Sequence, residues 1–433
     1  MKKLLTLILL SVILLSAASP FQSVSAGTLI VNALDDTDDG HCDATHCSLR
    51  EALHYAATGD TIDFSITGTI MLDGTQLTID KSLSIAGPGK DLLTISANTT
   101  NPSKKSRVFE IYSESSSLDV SISGLSISNG IASTGGDDFG GGIYNHGENL
   151  TITDCLIMDH TATVGGGGIY NVGNLTISDS MISNNVATGG PGGGINNGGV
   201  ISTTNTGTLF LSNSTISGNS AVGGAGGGIY NTGTATIDNS TFFDNHADSN
   251  RYWGGGIGNY GTLSVSRTTI SANSANLSGA GLRHKLNENN PSSLTLFNTI
   301  IAKNTGAGDC QSETPINDGG YNLIEGTSGD ACDLVNGSNG NIIGFDPLLD
   351  DSLGDYGGPT PTLPILFFGS PAIDAIPDGV NGCVAGLSLD QRGEIRGGGT
   401  SSTGYAACDI GAYEYGSGEG PPVNEIFLPL IKK

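Results

Sequence analysis

Basic residues are scarce in this chain. Its 433 residues hold 17 Lys and Arg against 42 Asp and Glu, a formal net charge of −25. Such a surface repels phosphate backbones, which excludes nucleic acid as a partner, and it favours solubility and loose cation binding. Charged residues of both signs make up only 14% of the chain, so its polarity comes mainly from Ser, Thr, Asn and Gly. Aromatic residues are few, 6% with a single tryptophan, Trp253, so any aromatic platform must be assembled from scattered tyrosines. The seven cysteines include no Cys-x-x-Cys pair and no partnering His cluster, which argues against a structural zinc site. After Leu15 no apolar run approaches the roughly 20 residues that a membrane helix needs, so no transmembrane segment is expected in the mature chain.

What the chain does have begins at its first residues. Lys2 and Lys3 precede an apolar stretch from Leu4 to Leu15, and Val24-Ser25-Ala26 offers a small-residue cleavage pattern. Residues 1–26 therefore read as a secretory signal peptide, and the expected location is outside the cell or on its surface. In an oxidising compartment six of the cysteines pair by proximity as Cys42–Cys47, Cys310–Cys332 and Cys383–Cys408, with Cys155 left over.

Repeats decide the fold. An eleven-residue unit recurs from Leu150, Leu175, Leu209, Ala235, Leu263 and Leu294, at steps of 25, 34, 26, 28 and 31 residues. Its first, third and eighth columns are apolar. The third reads Ile152, Ile177, Leu211, Ile237, Val265, Leu296, and the second is polar except at Phe210. This in-out-in alternation is strand periodicity. Before five units stands a second strand of the type Gly167-Gly-Ile-Tyr-Asn171. No unit can bury its apolar face alone. Stacked at the ~4.8 Å strand spacing, however, such units share one core and one hydrogen-bonded ladder. The expected fold is all-β, a right-handed parallel β-helix with a short N-terminal capping helix. Antiparallel pairing is the alternative, but identical columns at steps of about two dozen residues favour a solenoid.

The eleventh column holds His160, Asn185, Asn219, Asn245, Asn273 and Asn304. Asn suits turns and can bond backbone above and below, so this column reads as a buried ladder. The sixth column runs Cys155, Ser180, Ser214, Ser240, Thr268, Thr299, a slot for small side chains that makes Cys155 an inert core residue. At the N-terminal end Ser48 and Glu51 form a capping box, and Leu49, Ala52, Leu53 and Ala56 share one face. That helix can cover the first coil's edge.

These residues resemble known families. Cys47-Ser-Leu-Arg-Glu-Ala52 resembles the CSLREA domain of secreted bacterial proteins. The Gly-Gly-Ile-Tyr-Asn coils resemble bacterial right-handed β-helix repeats and, more loosely, polymorphic outer membrane proteins. Asp346-Pro-Leu-Leu349, Gly357-Gly-Pro-Thr-Pro-Thr362, Gly369-Ser-Pro-Ala-Ile-Asp374, Asp390-Gln-Arg-Gly393 and Asp409-Ile-Gly-Ala-Tyr-Glu414 resemble the choice-of-anchor Q domain. The resemblance implies a bacterial surface or secreted protein, organised as a cap over 27–66, a β-helix over 67–297 and choice-of-anchor-like coils over 298–415; the chain departs from that pattern over 416–433, which reads as a linker with a short apolar tail. The resemblance implies no shared chemistry.

Function is therefore read from the faces of the solenoid. Tyr144, Tyr170 and Tyr230 follow the inward Ile of the second strand and are expected to point outward in one row, with Tyr252 and Trp253 nearby. Aromatic faces on a flat strand surface can stack on glycans. The expected function is adhesion, scaffolding or glycan binding without catalysis, with extracellular glycans or cell-surface components as partners and no catalytic residue assigned. The alternative is a polysaccharide lyase or glycoside hydrolase acting on an extracellular acidic polysaccharide. Such an enzyme needs clustered carboxylates and a base, and no repeat column pairs them. Asp137-Asp138 and the basic triplet Arg283-His284-Lys285 are the local exceptions. No cofactor is expected. Asp35-Asp-Thr-Asp-Asp-Gly40 leaves Ca²⁺ open, although Thr37 breaks the alternating-acid register.

Overall fold

The computed structural model describes residues 26–416 except 99, 116, 134–137, 200–206, 249–252, 288–291, 307, 328, 367–368, 385 and 398–406. Residues 1–25, on which the expected signal peptide falls, the 417–433 tail, Asp137 and Tyr252 lie outside the described residues.

Among the described residues four all-parallel sheets build a right-handed β-helix, the fourth along its middle coils only. Sheet 1 has 11 strands, from Thr28–Val31 to Asn317–Gly320. Sheet 2 also has 11, from Gly68–Met71 to Ile342–Ile343. Sheet 3 has nine, from Leu77–Ile79 to Cys310–Ser312, and sheet 4 has six two-residue strands, from Ile131–Ala132 to Ser274–Ala275. Each repeat coil passes sheets 1, 2, 4 and 3 in turn.

The sequence columns pair in register. Ile152, Ile177, Leu211, Ile237, Val265 and Leu296 are successive partners in sheet 1. Ile157, Ile182, Ile216, Phe242, Ile270 and Ile301 are partners in sheet 2. All of these side chains are buried in one core, and each contributes about 1.5–3 kcal/mol relative to exposure. The paired glycines of the second strand follow from crowding. A Cβ on Gly193 would lie 2.4 Å from the Gly227 carbonyl oxygen of the next coil, so the corner admits no side chain.

At the N-terminal end helix α1 (Leu49–Tyr55) leaves sheet 1 between its first two strands. Ser48 caps it. The Ser48 hydroxyl accepts the Glu51 N–H at 3.2 Å, and the Glu51 carboxylate accepts the Ser48 N–H at 2.8 Å. Leu49, Ala52 and Leu53 are buried against the first coils. At the other end the chain leaves sheet 2 after Ile343 and folds back along its outer side. Gln391 reaches the Ser214 carbonyl and Thr241, Arg396 reaches Asn239, and the Gly411 N–H donates to the Asn298 carbonyl. Leu349, Leu363, Ile365, Ile376 and Ile410 form a second apolar cluster there with Ile300 and Leu323.

Three disulfides join Cys42–Cys47, Cys310–Cys332 and Cys383–Cys408, with Cα separations of 4.3, 5.0 and 5.7 Å. They staple the cap, the last coils and the folded-back segment. Cys155 is free and buried.

Candidate functional site

The outward row of sheet 3 reads Glu110, Tyr144, Tyr170, Asn196, Tyr230, Gly258, Arg283 along the solenoid. Two aromatic clusters lie on it, separated by the buried Asn196.

In the first cluster Tyr144 and Tyr170 meet edge to face at 5.2 Å, and Phe139 packs on Tyr170 at 4.4 Å. His146 stacks on Tyr144 at 3.4 Å, and its Nε2 lies 3.0 Å from Glu110 Oε1. That hydrogen bond, with the Arg107 charge, holds the Glu110 carboxyl below its usual range. Tyr170 lies in the outward row as expected but is not open to solvent. It is 3% exposed because Phe139, from the preceding loop, covers its ring. Tyr144 is half-buried by the same packing.

In the second cluster Tyr230, Trp253 and Tyr260 group together, with ring centroids 5.0–6.2 Å apart. Trp253 is also not an exposed platform. It is 5% exposed and packs behind the two tyrosines, because Gly258 at the aromatic position of the next coil leaves space for the indole. Lys285 Nζ lies 5.5 Å from the Trp253 ring and 5.7 Å from the Tyr260 ring, within cation–π range. Tyr230, Tyr260, Trp253 and Lys285 line a cleft of about 570 Å³ together with Val164, Pro191 and several glycines. This volume lies in the range of small-ligand sites.

The basic triplet divides. Arg283 pairs with Glu313 at 2.8 Å and Lys285 with the same carboxylate at 3.5 Å, both outside the core. His284 points inward, and its Nδ1 lies 2.8 Å from Asn259 Nδ2. It thus takes the place of asparagine in a second ladder, Asn145, Asn171, Asn197, Asn231, Asn259, in which each Nδ2 donates to the Oδ1 of the next residue at 2.8 Å. Burial lowers the His284 pKa. Sequence reasoning missed this ladder and also missed Tyr260. The fixed Asn closing each Gly-Gly-Ile-Tyr-Asn strand was the available signal for the first. Nothing in the repeat marks Tyr260, which stands where other coils carry His146, Val172 and Thr232.

The expected first ladder is present. Asn185, Asn219 and Asn245 are fully buried and bond head to tail. Asp390, Arg392, Arg396, Asp409 and Glu414 form a buried network in the folded-back segment. Arg392 bridges Asp390 at 2.6 Å and lies 3.8 Å over the Tyr413 ring. Burial raises both Asp409 and Glu414 above ordinary carboxylates, with the Glu414 charge adding to the rise at Asp409 and the Asp390 charge at Glu414. With Gln391 and Arg396 bonded directly to coil residues, the network fastens this segment to the solenoid.

No protein-family model and no curated protein sequence matches the chain. A solved structure described as "Crystal structure of pectate lyase Pel9A" is similar, at 15% identity and a TM-score of 0.49, over 90% of this chain and 97% of that one.

Proposed function

We propose that this chain is an exported, surface-associated scaffold that binds an extracellular glycan, without cleaving it, in the cleft beside Tyr230, Tyr260 and Lys285. The observation that carries the reading is the cleft itself. Half-buried tyrosines offer rings for stacking on sugar C–H groups, an ammonium supplies a donor beside them, and glycines make up much of the remaining lining. Glu313, the carboxylate nearest this cation, is engaged by Arg283 and Lys285, which favours binding over acid–base chemistry. The signal-like N-terminus and the resemblance to CSLREA and choice-of-anchor proteins support an extracellular setting, as do three disulfides. No helix among the described residues is long and apolar enough to cross a membrane.

The test is a glycan array probed with the mature protein, followed by calorimetry on the best ligand. Tyr260→Ala and Lys285→Ala should each weaken binding about tenfold or more, one stacking or charge-assisted contact's worth. Absence of any ligand, or ligands insensitive to both changes, would remove the reading. Release of unsaturated or reducing sugar from a bound polysaccharide would replace it with the lyase or hydrolase alternative.

A further inference from the structure

The cap carries a second cluster, remote from the sheet 3 cleft and independent of it. The segment 35–47 ends in a loop closed by the Cys42–Cys47 bridge and is bonded to α1 through the Asp39 N–H and the Glu51 carboxylate. It places His46 among three carboxylates. The His46 Nε2 is 3.3 and 3.2 Å from the two Asp35 oxygens. With Asp35 accepting a hydrogen bond from Nε2, Nδ1 is the ring nitrogen that faces the other two carboxylates.

Nδ1 is buried and has no hydrogen-bond partner, yet it lies 3.2 Å from Glu51 Oε2 and 3.6 Å from Asp39 Oδ2. Two carboxylates this close to Nδ1 call for a cation at that nitrogen, a proton or a metal ion. Glu51 is held in place. It is fully buried, its Oε2 accepts the Ser48 N–H at 2.8 Å, and its Oε1 accepts the Asp39 N–H at 2.7 Å. One ligand atom from each of Asp39, His46 and Glu51 falls within 4.8 Å of the others, the spacing that first-row metal–ligand bonds of about 2.0–2.2 Å would draw together. Asp39 is half exposed, with its side chain at 50%, which leaves an entry path and room for water.

We propose that Asp39, His46 and Glu51 bind a divalent transition metal, with Asp35 as the outer carboxylate that orients the imidazole. One nitrogen and two carboxylates suit Zn²⁺ or Mn²⁺. Ca²⁺ prefers six to eight oxygen ligands. The other acids of the Asp35–Gly40 run turn elsewhere, Asp36 to Arg50 at 2.7 Å and Asp38 to His54 at 3.4 Å. The bound ion would tie the 35–47 segment to α1 and so secure the cover over the first coil.

The experiment is calorimetric titration of Zn²⁺, Mn²⁺ and Ca²⁺ into the EDTA-treated full-length mature protein. A single Zn²⁺ or Mn²⁺ site is expected. His46→Gln and Asp39→Ala should each weaken it more than tenfold, and Asp35→Ala, which removes no ligand, by about 10–100-fold. His41→Ala should leave it intact. Asp35, Asp39 and His41 are solvent-accessible, so these variants test binding without dismantling the core, and circular dichroism verifies their folding. Failure of all three cations to bind would overturn the proposal. Binding that survives His46→Gln would also overturn it, because the cation would then be held by exposed acids alone. So would NMR of histidine-labelled protein in which His46 Nδ1 stays protonated in the presence of Zn²⁺, since a proton would then be the cation at this site.

Discussion

Asn219→Ala tests whether the asparagine column supports the fold or a binding face. The Asn219 Oδ1 accepts the Asn185 N–H at 3.0 Å and Asn185 Nδ2 at 2.9 Å. Its own Nδ2 donates to the Ile182 carbonyl and to Asn245 Oδ1, both at 2.9 Å. Truncation removes all four bonds. Asn245 Oδ1 keeps the Asn219 N–H at 3.1 Å, and Asn185 Nδ2 keeps the Ile157 carbonyl at 3.1 Å. The Asn185 N–H is left buried without its acceptor, at about 1–3 kcal/mol. With the lost amide bonds and the small void, the expected destabilisation is about 3 kcal/mol. Asn174→Ala is the matched control. It removes the same side chain from another inter-coil pair, Asn174 Nδ2 to Asn149 Oδ1 at 2.7 Å, but on the exposed face of sheet 1, where about 0.5 kcal/mol or less is expected. Urea unfolding followed by circular dichroism measures both, and hydrogen exchange reads the Asn185 amide directly. If Asn219→Ala unfolds at the same midpoint as Asn174→Ala, or the Asn185 amide stays as protected as in the wild type, the ladder is not structural.

Two further outcomes follow from buried groups. His160 stands at the head of the same ladder, accepting the Gly130 N–H on Nδ1 at 2.8 Å while Nε2 faces the Ile127 carbonyl at 3.0 Å. Burial pushes its pKa down from 6.5 to about 3. Its folded form therefore stays neutral while the unfolded chain takes up a proton, so its contribution is complete above about pH 6.5 and falls away as the pH drops toward 3, by up to about 5 kcal/mol. His160→Asn, which restores the column's usual residue, should flatten the stability–pH curve in that window, and an unchanged slope in acid melts would refute the assignment. Burial also drives the Cys155 thiol up to about 12, so iodoacetamide at pH 8 should leave the native protein unmodified and label one thiol only after denaturation. Rapid labelling of folded protein would contradict its place in the core.

The sequence alone determined the coil. Its apolar columns, its Gly-Gly corners and its Asn and Ser columns repeat at one step per turn, and a periodic pattern can be satisfied by few architectures because each unit needs its neighbour to bury the same face. The disulfide pairs were legible for a related reason, since each closes a short local segment in an unusually loop-rich part of the chain. The aromatic site was legible only in part. Tyr144, Tyr170 and Tyr230 are equivalent in the repeat, yet Phe139 buries Tyr170, and Trp253 slides behind Tyr230 into the space left by Gly258. Those outcomes depend on loops of unequal length that interrupt the period, so no column records them. Tyr260, Lys285 and the folded-back Gln391 likewise acquire their partners across coils. The convergence of Asp35, Asp39, His46 and Glu51 arises where an irregular segment meets α1. Periodicity specifies the scaffold because every coil obeys it. The clefts and clusters sit where it is broken, and there only the packing of non-repeating segments in three dimensions decides which side chains meet.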